Sequence, residues 1–182
     1  MKNLCLSLLM YVLTSCSRES MEDKLSDRHM SAFGKEVQKT DKLYLVGTGG
    51  SARYGIDKLS LTFISYTTPS IDQARKLYLD IVNRFIARIN EDEEIHPYLI
   101  DYPMTHRDLK ICILFSGLPE SEMADYVTVI SMGEYGKKFE EKPIYYFKYD
   151  YEQQRSNIFF EETFEEAVEK LKIENSLNKA QL

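Results

Sequence analysis

The chain predicts an α+β fold: a mostly antiparallel sheet of about five strands with two or three helices packed on one face. Three observations carry this expectation. Period-two segments, such as Leu59, Leu61 and Phe63 against Ser60 and Thr62, read as half-buried strands. One long segment, from Ile71 to Ile89, holds a continuous apolar stripe at helical spacing. The strand-like segments are linked by short turns, which favours antiparallel pairing with helices segregated to one face.

Taken in order, Met21, Leu25, His29, Phe33 and Val37 recur every four residues and predict a helix with a narrow apolar stripe, weakened by Gly34. Leu43 to Val46 is a short apolar strand, ended by Gly47-Thr48-Gly49-Gly50-Ser51 as a glycine-rich loop. Lys58 to Tyr66 is the next strand. Ser70 and Gln73 have capping-box spacing and open the long helix, which should stop near Asn90, before the acidic run Glu91 to Glu94 opposes its dipole. Ile95 to Arg107 holds Pro97 and Pro103 and reads as an extended loop. Leu109 to Phe115, Tyr126 to Met132 and Ile144 to Tyr151 read as strands, and Ile158 to Phe160 as a brief pairing. Thr163 and Glu166 form a second capping box ahead of a last helix carrying Phe164, Ala167, Val168 and Leu171.

Composition is that of an ordinary globular domain: 43% hydrophobic, 29% charged, no Trp and 13 Tyr in 182 residues. The formal net charge of −6 disfavours nucleic acid and anionic headgroups as partners, because both need a basic patch. Of three Cys, two precede residue 17, leaving Cys112 alone with no intrachain disulfide partner in the folded part.

The N-terminus carries the clearest chemical label. Lys2 precedes a short apolar run, Leu4 to Leu13, which is followed by Leu13-Thr14-Ser15-Cys16. An early charge, a short apolar run and small residues before a cut make a secretory signal, and the run is shorter than the roughly 20 residues that cross a bilayer. Leu13-Thr14-Ser15-Cys16 resembles the lipobox of bacterial lipoprotein precursors. The resemblance implies that residues 1–15 are removed and that the Cys16 sulfur takes a diacylglyceryl group. An ordinary signal peptide is the alternative. Residues 16–27 then form the lipidated Cys and a tether, with Ser17 to about Lys24 its polar part; residues 28–175 form one globular domain and 176–182 a fraying tail. Ser17 after the Cys implies, by the same resemblance, export to the outer membrane in a cell with two membranes. Gly47-Thr48-Gly49-Gly50, Lys58 to Phe63, Ala74-Arg75-Lys76-Leu77 and the Ile95 to Pro103 stretch also resemble an uncharacterised group of small lipoproteins of intracellular bacteria, which implies a compartment and no mechanism.

Within the domain, Gly47-x-Gly49-x-x-Ala52 matches a loose dinucleotide fingerprint, but a strand follows where a phosphate-binding helix would be needed. A backbone nest for a small anion, flanked by Arg53 and Lys58, is the milder reading. His96, Asp101, His106 and Asp108 bring imidazole and carboxylate to one loop, as acid–base or metal chemistry would need, though in no standard ligand spacing; a solvated polar loop is the plainer reading. Cys112 alternates with Ile111 and Ile113 and reads as a small half-core residue rather than a nucleophile. Tyr145, Phe147, Tyr149 and Tyr151 share one strand face, expected to pack cross-strand, while Tyr146 on the other is expected to face solvent or a partner.

These features favour a non-enzymatic, lipid-anchored envelope protein, a protein-interaction or structural module that binds another protein or the cell envelope, without cofactor or metal. Two alternatives stay open. One is a small-ligand or peptide binder using Gly47, Gly49, Gly50, Arg53 and Tyr146. The other is a hydrolytic or metal-assisted enzyme using the His96 to Asp108 loop.

Overall fold

The computed structural model describes residues 20–51, 54–117, 126–133, 143–150 and 152–180, without the side chains of 175 and 177–180. The apolar run Leu4 to Leu13 with Cys16, and Arg53 and Tyr151, lie outside the described residues. The described chain forms helix α1 (Met21–Thr40), strands β1 (Leu43–Ser51) and β2 (Lys58–Ser65), helix α2 (Ile71–Glu91), strands β3 (Leu109–Phe115), β4 (Val129–Met132), β5 (Ile144–Asp150) and β6 (Arg155–Glu162), and helix α3 (Phe164–Ala180). The six strands lie side by side in chain order in one sheet. The class is α+β, with six strands rather than about five.

Pairing is antiparallel everywhere except between β2 and β3, which run parallel. The reason is the connection. A tight turn reverses the chain, whereas the 43 residues between Ser65 and Leu109 include all of α2, long enough to bring β3 back in the direction of β2. Ser70 accepts from the Gln73 amide while the Gln73 side chain accepts from the Ser70 amide, so the expected capping box forms. The helix ends one residue past Asn90, with Asp92 as its cap.

The core lies between the helices and one sheet face. Leu59, Leu61 and Phe63 of β2 and Leu109, Ile111, Ile113 and Phe115 of β3 point into it, against Tyr78, Ile81, Val82 and Phe85 of α2. Phe33 of α1 sits 5.0 Å from Phe85 and 6.5 Å from Phe63, ring centre to ring centre, and so locks both helices to the sheet. Gly34 earns its place in this helix: a Cβ there would lie 2.6 Å from Leu45 Cδ2, so its absence lets α1 approach β1. Helix α1 starts at Met21 with its Ser20 cap and buries Leu25, taking in Met21 to Lys24, which composition assigned to the tether.

Tyr78 does a job no side-chain pattern announces. Its buried hydroxyl donates to the Ile111 carbonyl and accepts from the Met132 amide, tying β3 to the end of β4. Both edge strands carry a register slip. In β1 it leaves Val46 as the extra residue, and in β6 it leaves Phe159. Bulges of this kind blunt an edge against the addition of further strands.

At the far end of the sheet a buried ionic cluster closes the fold. The Arg75 Nε donates to Glu162 Oε1 at 2.7 Å, Lys170 Nζ to Glu162 Oε2 at 2.7 Å, and the Tyr146 hydroxyl to Oε1. Burial alone would raise the Glu162 carboxyl, but these donors outweigh it and hold it below the usual carboxylate range. The cluster links α2, β5, β6 and α3. Removing one partner of a buried pair leaves the other charge uncompensated, so Glu162→Gln is expected to cost about 3 kcal/mol of unfolding free energy. Urea denaturation of the variant against the native chain measures this, and a loss under about 0.5 kcal/mol would mean that water solvates Arg75.

Candidate functional site

The glycine segment is a strand, not a loop. Gly47, Gly49 and Gly50 pair with Thr62, Ser60 and Leu59 of β2, and among the described glycines only Gly55, beyond them, takes a positive φ, at +130°. The anion nest expected from these glycines therefore has no turn to form it. After the bulge at Val46, Thr48 and Gly50 share the core-side face with Leu61 and Leu59. A Cβ on Gly50 would lie 2.6 Å from the Lys58 carbonyl oxygen, so the glycine answers a close backbone approach.

Above this strand end, beneath the first turns of α1, lies a cleft of about 520 Å³. Asp23, Ser26 and Asp27 line it from α1, Thr48 and Ser51 from β1, and Lys58 from β2. The Ser26 hydroxyl is buried without a hydrogen-bond partner. Lys58 is held loosely by Asp57 at 3.7 Å and Asp108 at 3.9 Å. Gly49 and Gly50 belong to this wall, but Tyr146 does not.

Tyr146 is fully buried on the helix side of β5, with its ring against Phe160 and its hydroxyl on Glu162. This reverses the expected sides: the tyrosine assigned to solvent or a partner belongs to the core. Tyr145 is also buried, on the other face. The physical reason is the ionic cluster, which gives the phenol a carboxylate to bond inside the protein. Burial, then the neighbouring carboxylate, pushes the Tyr146 phenol above its usual range.

The histidines of the Pro-rich loop diverge. His96 Nε2 sits 3.0 Å from the Asn90 carbonyl, and its ring lies against Tyr102. His106 stacks on Phe164, 4.2 Å between ring centres, with Glu165 3.7 Å from Nε2. Asp108 caps the turn at Thr105. Among the described residues no three His, Cys, Asp or Glu side chains are placed to hold a metal. Cys112 is half-buried, and burial pushes its thiol up, against a smaller opposing effect from Ser131. A raised thiol holds little thiolate, the form a nucleophile needs.

Two features were not anticipated. The first is His29, read only as part of the α1 stripe. It is buried between α1 and the end of α2. Nε2 lies 2.9 Å from Asp92 Oδ2 without a directed hydrogen bond, and Nδ1 has no partner. Asp92 is shared with Arg28, which also reaches Glu94. The second is an aromatic corner. Tyr66 is 65% exposed just past β2 and packs edge-on against exposed Tyr44 of β1, 5.6 Å between ring centres. Tyr44 opens an apolar row running through Ile64, Leu114, Val129, Phe147 and Ile158, each opposite the next on the sheet face away from the core. The legible signal was the alternation itself: Ile64 and Leu114 are apolar where the strand pattern asks for polar residues.

No family model, no curated protein and no solved structure matches the chain.

Two expected outcomes follow from the buried polar groups. Ser26→Ala removes an unsatisfied hydroxyl and should leave stability unchanged or raise it by about 1 kcal/mol, read from the urea midpoint; a loss would show that the hydroxyl has a partner in solution. Burial holds His29 below its usual value of 6.5, with Asp92 only partly opposing. The unfolded chain therefore takes up the proton first, so the native chain should lose stability as pH falls through 6.5, before Glu162 contributes below 4.5. His29→Gln should abolish the upper step in a pH series of thermal melts.

Proposed function

We propose that this protein is a lipid-anchored envelope protein, held to a membrane through acylated Cys16, whose folded domain binds a protein partner. The reading of the anchor rests on Leu13-Thr14-Ser15-Cys16 after the apolar run. The partner surface is carried by one observation: the exposed, edge-to-face pair Tyr44 and Tyr66. Tyrosine buries much area with few rotatable bonds and keeps a hydroxyl for hydrogen bonding, which is why it is enriched at interfaces. Helix α1 runs from Met21 to Thr40, about 30 Å at 1.5 Å per residue, and β1 starts directly after it. The tyrosine corner therefore stands a helix length away from Met21, the first residue of that helix, where a partner can reach it. The bulged edges point the same way, since they favour docking on a face over strand addition.

Metabolic labelling with an alkyne fatty acid should tag the native chain and not Cys16→Ala. In the same cells, a photo-crosslinking residue at position 66 should give a discrete adduct that one at exposed Lys172 does not. An untagged native chain would remove the anchor; equal adducts at both positions would remove the corner as the partner site.

A further inference from the structure

We infer that the end of the domain opposite the tyrosine corner rests on the lipid bilayer itself, with Tyr54, Ile100 and Tyr102 seated at the headgroup level. This rests on the anchoring reading above and adds which surface faces the membrane. Three residues lie between Cys16 and the Ser20 cap of α1, and the four steps from one to the other reach about 14 Å fully extended. So short a link leaves the start of α1 beside the bilayer and allows only neighbouring surfaces to touch it.

The structure identifies those surfaces. Asp23 and Asp27 share a cleft with Ser51 and Lys58, which puts the β1–β2 turn next to the start of α1. Arg28 bonds Asp92 and Glu94, which brings the end of α2 and the loop after it to the same place. The turn and that loop are joined: Ile56 donates to the Tyr98 carbonyl, Ile100 donates to the Ile56 carbonyl, and Ile56 bridges Leu99. The large side chains left in water at this end are Tyr54 at 85% exposure, Tyr102 at 56%, Ile100 at 51% and Met21 at 45%. Tyr102 is propped by the His96 ring, 4.1 Å away. Tyrosine is enriched where headgroups meet acyl chains, because its ring prefers the apolar side and its hydroxyl the wet side.

The charges here select the lipid. Glu22, Asp23 and Asp27 on α1 and Asp92, Glu93 and Glu94 after α2 outnumber the nearby Lys24, Arg28, Lys58 and Arg107. An anionic surface repels this end, so a zwitterionic one suits it.

The native chain has no Trp, so a single introduced Trp reports one position. Full-length Tyr54→Trp and Tyr66→Trp, purified from membranes, are reconstituted into phosphatidylcholine vesicles containing brominated phosphatidylcholine, and the acyl group on Cys16 is verified by mass spectrometry. Bromine quenching should be about threefold stronger at position 54 than at 66, as an interfacial and a distant aromatic would differ. Adding Ile100→Ser and Tyr102→Ser to Tyr54→Trp should bring its quenching down towards that of position 66, and so should replacing half the lipid with phosphatidylglycerol at low salt. Acylated protein quenched alike at both positions overturns the contact and leaves the anchor standing, as when this end docks a protein. Absence of any acyl group overturns both.

Discussion

The apolar stripe of α2 is the constraint on which the rest of the structure depends. Ala74, Tyr78, Ile81, Val82, Phe85 and Ile89 are buried along one side of a helix that joins two neighbouring parallel strands. Burying that stripe forces the chain to return over the sheet before β3 begins. The parallel β2–β3 pair, the sheet face covered by helices and the position of α1 against Phe85 all follow from it. At about 1.5–3 kcal/mol for each large side chain removed from water, this stripe is the largest apolar burial by a single helix in the fold.

Charge then finishes what apolar burial begins. Arg84 reaches Glu36 and Asp41 of the α1 end, and Arg88 reaches Glu36. Hydrogen bonding from Arg84 outweighs the opposing effect of desolvation and keeps the Glu36 carboxyl below its usual range. Glu162 serves α3 as Glu36 serves α1, but in the interior, where its three donors must all be in place. These polar contacts fix which way the helices lie on a core that would accept several packings.

The two ends of the domain differ in kind. One carries edge-to-face tyrosines at the end of an apolar row. The other carries exposed aromatic and aliphatic side chains in an acidic setting, next to the start of the first described helix. Between them, the cleft beneath α1 is lined by polar side chains together with Met30 and Leu59, and the orphaned Ser26 hydroxyl is buried in its wall.

Much of the architecture was legible in the sequence by itself. Hydrophobic period told strand from helix at β2, α2 and β3, and the Ser70–Gln73 and Thr163–Glu166 pairs marked two helix starts, because these signals act within a few residues. What only the tertiary structure decided were matters of long-range partnership. The glycine segment became a strand because β2 supplied its hydrogen bonds. β2 and β3 ran parallel because α2 needed a sheet face to cover. Tyr146 turned inward because Glu162, sixteen residues away, offered its hydroxyl a buried acceptor. Arg75, lodged four residues from both Ile71 and Leu79 beside the apolar stripe, was a visible oddity whose meaning waited for its partner. Local pattern states what a residue prefers; only the fold states what it meets.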